Sequence, residues 1–189
     1  TNYILTKMTE EGGEYAAALA EAQKLGYAEA DPANDVEGVD AAYKLAILAS
    51  LAFHTKVPYA KVYREGISSV EQTDIAYGKQ LGYTLKLLAI GKHTERGVEA
   101  RVHPVFIRNS HPLASVRDAY NAVYLTGDCM DDIMLYGRGA GALPTGSAVV
   151  SDVIYAATHS EIRYSTYRYT AGADRETKFV SDFASGYYI

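Results

Sequence analysis

Apolar residues change their spacing close to Gly82, with helix-like patterns before it and strand-like ones after it, until a last helix-like run that begins near Pro144. Tyr3, Ile4, Leu5 and Met8 share one face at helical spacing and predict a helix over residues 2–10. Residues 14–25, EYAAALAEAQKL, predict a second helix, rich in helix formers, with Lys24 in its last turn and Gly26 as its stop. The turn formers Gly26, Asp31, Pro32, Asn34 and Asp35 then predict a loop over residues 26–35. A long helix is expected from about Val36 or Asp40 to His54, with Asp35 as its N-cap and acids at the positive end of its dipole. From Leu45 it reads LAILASLAF, apolar almost all round, which predicts burial on most faces before Val57-Pro58 closes it. The last helix of this half has Thr73 as its expected N-cap, DIAYGKQL as its body and Gly82 as its stop.

Beyond Gly82, residues 85–90 form an apolar, strand-like run, and Val98, Ala100 and Val102 alternate with Glu99, Arg101 and His103 as on a half-exposed strand. Residues 121–126 and 132–136 flank Gly127-Asp128 and predict a hairpin. Helices first and strands later mark the α+β class, with helices packed on one face of a mixed, largely antiparallel sheet. A glycine-rich loop, residues 137–146, then leads into an apolar helix that starts near Pro144-Thr145. From about residue 160 the chain turns polar and tyrosine-rich and reads as a linker. The expected organisation is one domain over residues 1–159, followed by a linker and the start of a further, truncated domain over 160–189.

Composition narrows the function classes. With 189 residues, 48% of them hydrophobic and 22% charged, the chain is long enough and apolar enough for a packed core. A formal net charge of −5 argues against a nucleic-acid partner. No apolar run reaches the roughly 18 residues of a membrane span, and the opening TNYILTKMTE, with no basic segment before an apolar one, gives no expectation of a signal peptide. The single cysteine, Cys129, suits a reducing, cytosolic compartment. A helical pattern that begins directly at Thr1 and a β-prone run at the other end suggest a piece of something longer.

Residues 26–44, GYAEADPANDVEGVDAAYK, concentrate the candidate chemistry: Glu29, Asp31, Asp35, Glu37 and Asp40 precede Lys44. Asp40 and Lys44 are four apart and share a helix face. That spacing fits a surface ion pair worth about 0.3–0.5 kcal/mol. It equally fits a proton-transferring lysine, tuned by partial desolvation beside the apolar half of the helix and by its carboxylates. A calcium loop is excluded, because an EF-hand glycine at Gly38 would put Ala33 and Lys44 where carboxylates are required. In the 137–146 loop, Gly146 is followed by Ser147 rather than lysine, and Gly139-Ala140-Gly141 runs into Ala142-Leu143-Pro144, so neither a P-loop nor a Rossmann fingerprint is present. What remains is backbone able to approach a ligand at a helix start, or simply a tight turn. The five histidines show no paired metal-ligand spacing, so no metal site is expected. His111-Pro112 is compatible with a turn, and Cys129 with a structural thiol.

The run of residues 26–49, GYAEADPANDVEGVDAAYKLAILA, resembles the substrate signature of homoserine dehydrogenases. TNYILTKM, HPLASV at 111–116, NAVYLTGD at 121–128 and GRGAGALPTGSAVVSDVI at 137–154 resemble further segments of that family, in its order. The resemblance implies NAD(P)-dependent interconversion of L-aspartate 4-semialdehyde and L-homoserine. It implies Lys44 as proton donor, Glu29 and Asp40 as substrate-binding residues, and Tyr27 and Asp35 as shaping or supporting the pocket. Gly141 would meet the nicotinamide end of the cofactor. It further implies a homodimer or higher homo-oligomer, a nucleotide-binding domain upstream, a regulatory ACT domain downstream, and a monovalent cation in the full-length enzyme. On this expectation the chain is a substrate-binding and dimerisation fragment that does not turn over alone. The competing readings are a non-catalytic dimerisation module, whose acidic loop merely caps a helix, and a dehydrogenase of another amino-acid semialdehyde.

Overall fold

The computed structural model describes residues 1–139, 141–159, 177–183 and 185–186. Among these residues six α-helices and five strands follow one another in the order expected of an α+β chain. They are α1 (Asn2–Glu11), α2 (Tyr15–Lys24), α3 (Ala33–Val36), α4 (Val39–Ala52), β1 (Tyr63–Arg64), α5 (Gln72–Gln80), β2 (Tyr83–Thr94), β3 (Gly97–Arg108), β4 (Tyr120–Gly127), β5 (Asp131–Arg138) and α6 (Ala142–Thr158). The strands form two sheets. One is mixed, with order β1-β3-β2: β1 pairs with β3 in parallel, while β2 and β3 are joined through Glu95 and Arg96 alone, which obliges antiparallel pairing. The other is the antiparallel β4–β5 hairpin, in which Val123 faces Leu135 and Leu125 faces Ile133.

The chain divides into two compact units that interleave in sequence. Residues 1–32, 68–86 and 105–162 form the first, and residues 33–67, 87–104 and 163–189 the second. The expected boundary at 159–160 and the expected linker fall at or within residues outside those described. In the first unit α1 packs on α2 and α5, and Ile4, Leu5 and Met8 are fully buried as their spacing predicts. In the second unit Ala42, Leu45 and Ala49 of α4 pack on Val98, Ala100 and Val102 of β3, so the helix covers one face of the sheet.

Four expectations need correction. Asp35 does not cap the long helix: it lies inside the short α3, and the N-cap of α4 is Gly38, which takes a left-handed conformation with φ 70°. Nor is α4 buried on most faces. Leu45, Ala46, Ala49 and Ser50 are covered, whereas Ile47, Leu48 and Leu51 are exposed, because β3 meets only one side of the helix. The N-cap of α5 is Glu71, not Thr73. Glu71 and Asp74 form a reciprocal capping box, which satisfies two backbone donors where a threonine cap two residues later would satisfy one. Finally, the polar side of β3 is not exposed: Glu99 and Arg101 are both buried and pair with each other. The Arg101 guanidinium lies 4.4 Å from the Phe183 ring centroid, and Val98 forms a parallel bridge with Phe179. A segment from the far end of the chain thus covers the strand face that alternation alone assigns to solvent.

The turn between α3 and α4 is held by backbone contact. Ile67 N–H donates to the Val36 carbonyl at 2.8 Å, and Glu65 N–H to the Val102 carbonyl at 2.8 Å. A Cβ on Gly66 would stand 2.5 Å from the Val36 carbonyl oxygen and 2.7 Å from the Glu37 Cα. Neither neighbour is a side chain that can swing away. Gly66→Ala is therefore expected to lower stability by roughly 1–3 kcal/mol, read as a lower urea midpoint; an unchanged midpoint would show that this turn shifts freely.

Candidate functional site

The stretch 26–44 is built in two parts, and the division between the compact units falls within it, between Pro32 and Ala33. In the first unit α2 ends as Tyr27 N–H bonds the Ala22 carbonyl at 2.9 Å and Gly26 N–H the Gln23 carbonyl at 3.0 Å. The Tyr27 ring packs on that of Tyr3 with centroids 5.1 Å apart. The Gln23 side-chain amide donates to the carbonyls of Glu29 at 3.0 Å and Ala30 at 3.2 Å. That bond fixes the backbone of the Glu29 turn while its carboxylate stays exposed.

In the second unit Asp40 lies in the first turn of α4, and Lys44 Nζ donates to its Oδ2 at 2.6 Å. The shared face that the spacing predicts is therefore realised. The predicted desolvation is not: 65% of the Lys44 side chain and 49% of that of Asp40 are exposed. Lys44 points from the side of α4 that β3 leaves uncovered, next to Tyr43, whose ring stacks on Tyr59 at 4.3 Å. Asp35 stays half-buried in α3, behind the fully anchored Val36. Tyr27 and Glu29 thus belong to one unit, and Asp35, Asp40 and Lys44 to the other.

Gly141, in the first unit, starts α6 with φ 115° and ψ 156°, and no side chain caps the helix there. An L-residue rarely adopts that φ, so the position demands glycine and leaves backbone rather than side chain at the helix start. Among the described residues other than its chain neighbours, Pro144 side-chain atoms alone come within 4 Å of where a Cβ would be.

Of the remaining candidates, His111 has a structural role. His111 accepts a hydrogen bond from Leu113 N–H at 3.2 Å and caps a short 3-10 helix. Cys129 is exposed beside the β4–β5 turn. Among the described residues no three His, Cys, Asp or Glu side chains gather as metal ligands, and no helix is long and apolar enough to cross a membrane.

Pattern reading passes over one charged residue of consequence. Lys86 lies in β2 between Leu85 and Leu87 and is 6% exposed. Its Nζ donates to Asn2 Oδ1 at 3.1 Å and to the Val116 carbonyl. Asn2 in turn donates to the carbonyls of Asp118 at 3.2 Å and Tyr120 at 3.1 Å, so these two side chains tie the start of α1 to β2 and to the segment entering β4. The signal was a lysine inside an apolar strand run. Burial pushes its ammonium from 10.5 down to about 8, the Arg117 guanidinium acts in the same direction, and the carboxylates of Glu10 and Asp118 oppose it. A neutral amine keeps two N–H donors, enough for both of its acceptors.

In the unfolded chain a lysine stays charged to beyond pH 10, whereas folded Lys86 loses its proton from about 8. Between those values the unfolded chain binds more protons, so this group adds stability as pH rises; below 8 the burial penalty is present in full. The stability advantage of the parent chain over Lys86→Met should therefore widen by roughly 2 kcal/mol between pH 7 and 9.5. Urea titrations at the two values test it, and a constant difference would show that Lys86 keeps its proton throughout.

Comparison with known proteins adds an independent line. A family model described as homoserine dehydrogenase matches residues 1–154. A homoserine dehydrogenase of Synechocystis is 56% identical over 159 residues, which is 82% of this chain and 36% of that protein. The crystal structure of a homoserine dehydrogenase from Thiobacillus denitrificans superposes with a TM-score of 0.85 at 41% identity, covering 95% of this chain and 42% of the other. A hyperthermophilic archaeal homoserine dehydrogenase mutant in complex with NADPH superposes with a TM-score of 0.67 at 31% identity, over 86% of this chain and 46% of that one. The chain therefore spans little more than a third of the Synechocystis protein's length.

Proposed function

The chain belongs to the homoserine dehydrogenase family, and from that membership we propose that it is the substrate-binding part of an NAD(P)-dependent oxidoreductase that interconverts L-aspartate 4-semialdehyde and L-homoserine. The reaction would serve threonine and methionine biosynthesis in the cytoplasm. The observation that carries the reading is the Asp40–Lys44 pair, 2.6 Å apart on the open side of α4 and preceded by the carboxylate-rich turn. A zwitterionic substrate needs carboxylates for its ammonium and a proton source for its carbonyl oxygen.

In this reading Glu29 takes the substrate ammonium, and Asp40 binds a second polar group of the substrate while orienting Lys44. Tyr27 and Asp35 shape and support the pocket. NAD(P)H, when bound, would be the source of the hydride for the aldehyde carbon. Lys44 gives a proton to the carbonyl oxygen as the C=O bond becomes an alcohol, and takes the hydroxyl proton back in the reverse direction. Gly141, free of a side chain at the start of α6, is the contact for the nicotinamide end. A monovalent cation belongs to the proposal only for the full-length enzyme, and no residue of this chain is assigned to it.

In a full-length enzyme that contains this stretch, Lys44→Ala is expected to lower kcat by about 10²–10⁴-fold with a modest change in KM. Glu29→Gln is expected to act mainly on KM. The 189-residue chain alone should not oxidise NADPH with L-aspartate 4-semialdehyde. Near-normal turnover by Lys44→Ala would remove that residue from its role, and robust turnover by the chain alone would remove the need for a separate nucleotide-binding domain.

A second reading, self-association through the hairpin, is supported by the exposed face of β4–β5. Leu125, Ile133 and Leu135 stand there in register, and all are exposed. An apolar strand face of this kind suits a second copy of the same face across a twofold axis. Sedimentation velocity should show a dimer or higher homo-oligomer that Leu135→Glu disrupts; a monomeric parent chain would count against it.

A further inference from the structure

The first unit contains a cavity of about 590 Å³, within the usual size range of small-molecule sites, that shares no residue with the 26–44 stretch. Its floor and walls come from α1, α5, the first residues of β2 and the segment around Arg117. Three cations line it, Lys79, Lys86 and Arg117, against one carboxylate, Glu10. Asp118 acts on Lys86 from outside the lining.

The hydrogen-bonding inventory is equally one-sided. Lys86 spends two of its three protons on Asn2 and Val116, and among the described residues it makes no ion pair with a carboxylate. Arg117 spends its Nε on Glu10 at 2.7 Å, which leaves the two terminal nitrogens of a fork suited to an oxyanion. Lys79 makes no ion pair with any described residue. Asn109 accepts from Thr84 through Oδ1 at 2.7 Å and keeps its amide N–H groups as donors. The hydroxyl protons of Thr9 and Ser115 are already committed, to the carbonyls of Leu5 and Pro112. The unspent groups of the cavity are thus mostly positive or neutral donors.

We propose that this cavity is a binding site for a small oxyanion, of the phosphate or carboxylate class, held by Arg117, Lys86 and Lys79 and by the amide of Asn109. One anion there would offset the repulsion that the Arg117 guanidinium exerts on the Lys86 ammonium. It would also give the buried ammonium the counter-charge that its two uncharged acceptors do not provide. The proposal stands apart from the catalytic reading: it needs neither Lys44 nor a nicotinamide cofactor.

The test is isothermal titration calorimetry of the 189-residue chain with inorganic phosphate and, separately, with succinate, at constant ionic strength set by chloride. Saturable 1:1 binding of either ion is expected, and the ion that binds assigns the class. Arg117→Gln should weaken it about tenfold, the worth of one charge-assisted hydrogen bond, and Lys79→Gln by a few-fold. Both side chains are exposed enough for these variants to fold, which far-UV circular dichroism would verify. No saturable binding of either ion would overturn the proposal. So would binding whose affinity is the same in the parent and in both variants, because such binding would lie elsewhere on the surface.

Discussion

The close approach of Gly66 to the Val36–Glu37 backbone is the constraint on which the second unit depends. The Ile67-to-Val36 and Glu65-to-Val102 hydrogen bonds clamp the residues before α4 to the segment running alongside β3. With that turn fixed, α4 can lay Ala42, Leu45 and Ala49 along Val98, Ala100 and Val102. The rotation of the helix about its own axis then follows, and with it the direction in which Asp40 and Lys44 project. The charged pair contributes little to holding this arrangement, since an exposed i,i+4 pair is worth only a few tenths of a kcal/mol. Packing aims the side chains; electrostatics uses the result.

The first unit solves a different problem. Its segments come from three separate parts of the sequence, and polar side chains rather than apolar packing join two of the seams. Asn2 reaches the carbonyls of Asp118 and Tyr120, Thr6 accepts from Asp118 N–H at 3.1 Å, and Lys86 spans Asn2 and Val116. Buried amide and ammonium groups of this kind are directional, so they specify which carbonyls must meet, a constraint that interchangeable apolar contacts do not impose. Their cost is the desolvation evident in the depressed affinity of Lys86 for its proton.

Local periodicity was enough to read most of the elements. Tyr3, Ile4, Leu5 and Met8 mark the buried side of α1 correctly, Gly26 and Gly82 stop their helices, and the four-residue spacing puts Lys44 beside Asp40. Hydropathy failed where burial depends on what lies opposite. Ile47, Leu48 and Leu51 are as apolar as Leu45 yet remain exposed, and Glu99 and Arg101 are as polar as Arg96 yet are covered by residues some 80 positions away. The caps moved for a related reason, because several polar residues near each helix start could have served and geometry chose among them. Of the candidate site, only the part carried on one helix was legible in spacing. The joining of Glu29 to Gln23 and the division at Pro32 are properties of loops, which have no period to read.

The bridge between Val98 and Phe179 also has a temporal side. The two residues are separated by 81 positions, yet Val98 both donates to Lys178 and accepts from Val180. On a ribosome that adds about 5–20 residues per second, roughly 4–16 s pass after Val98 is made before Phe179 exists. Through that interval the backbone of β3 at Val98 is an open strand edge flanked by apolar side chains, the kind of surface that pairs with the wrong chain. The charges on Glu99 and Arg101, buried in the finished fold, then stand on the exposed nascent strand. Their burial is costly in the end state, whereas on an unfolded strand two charges at these positions are of the kind that opposes edge-to-edge pairing.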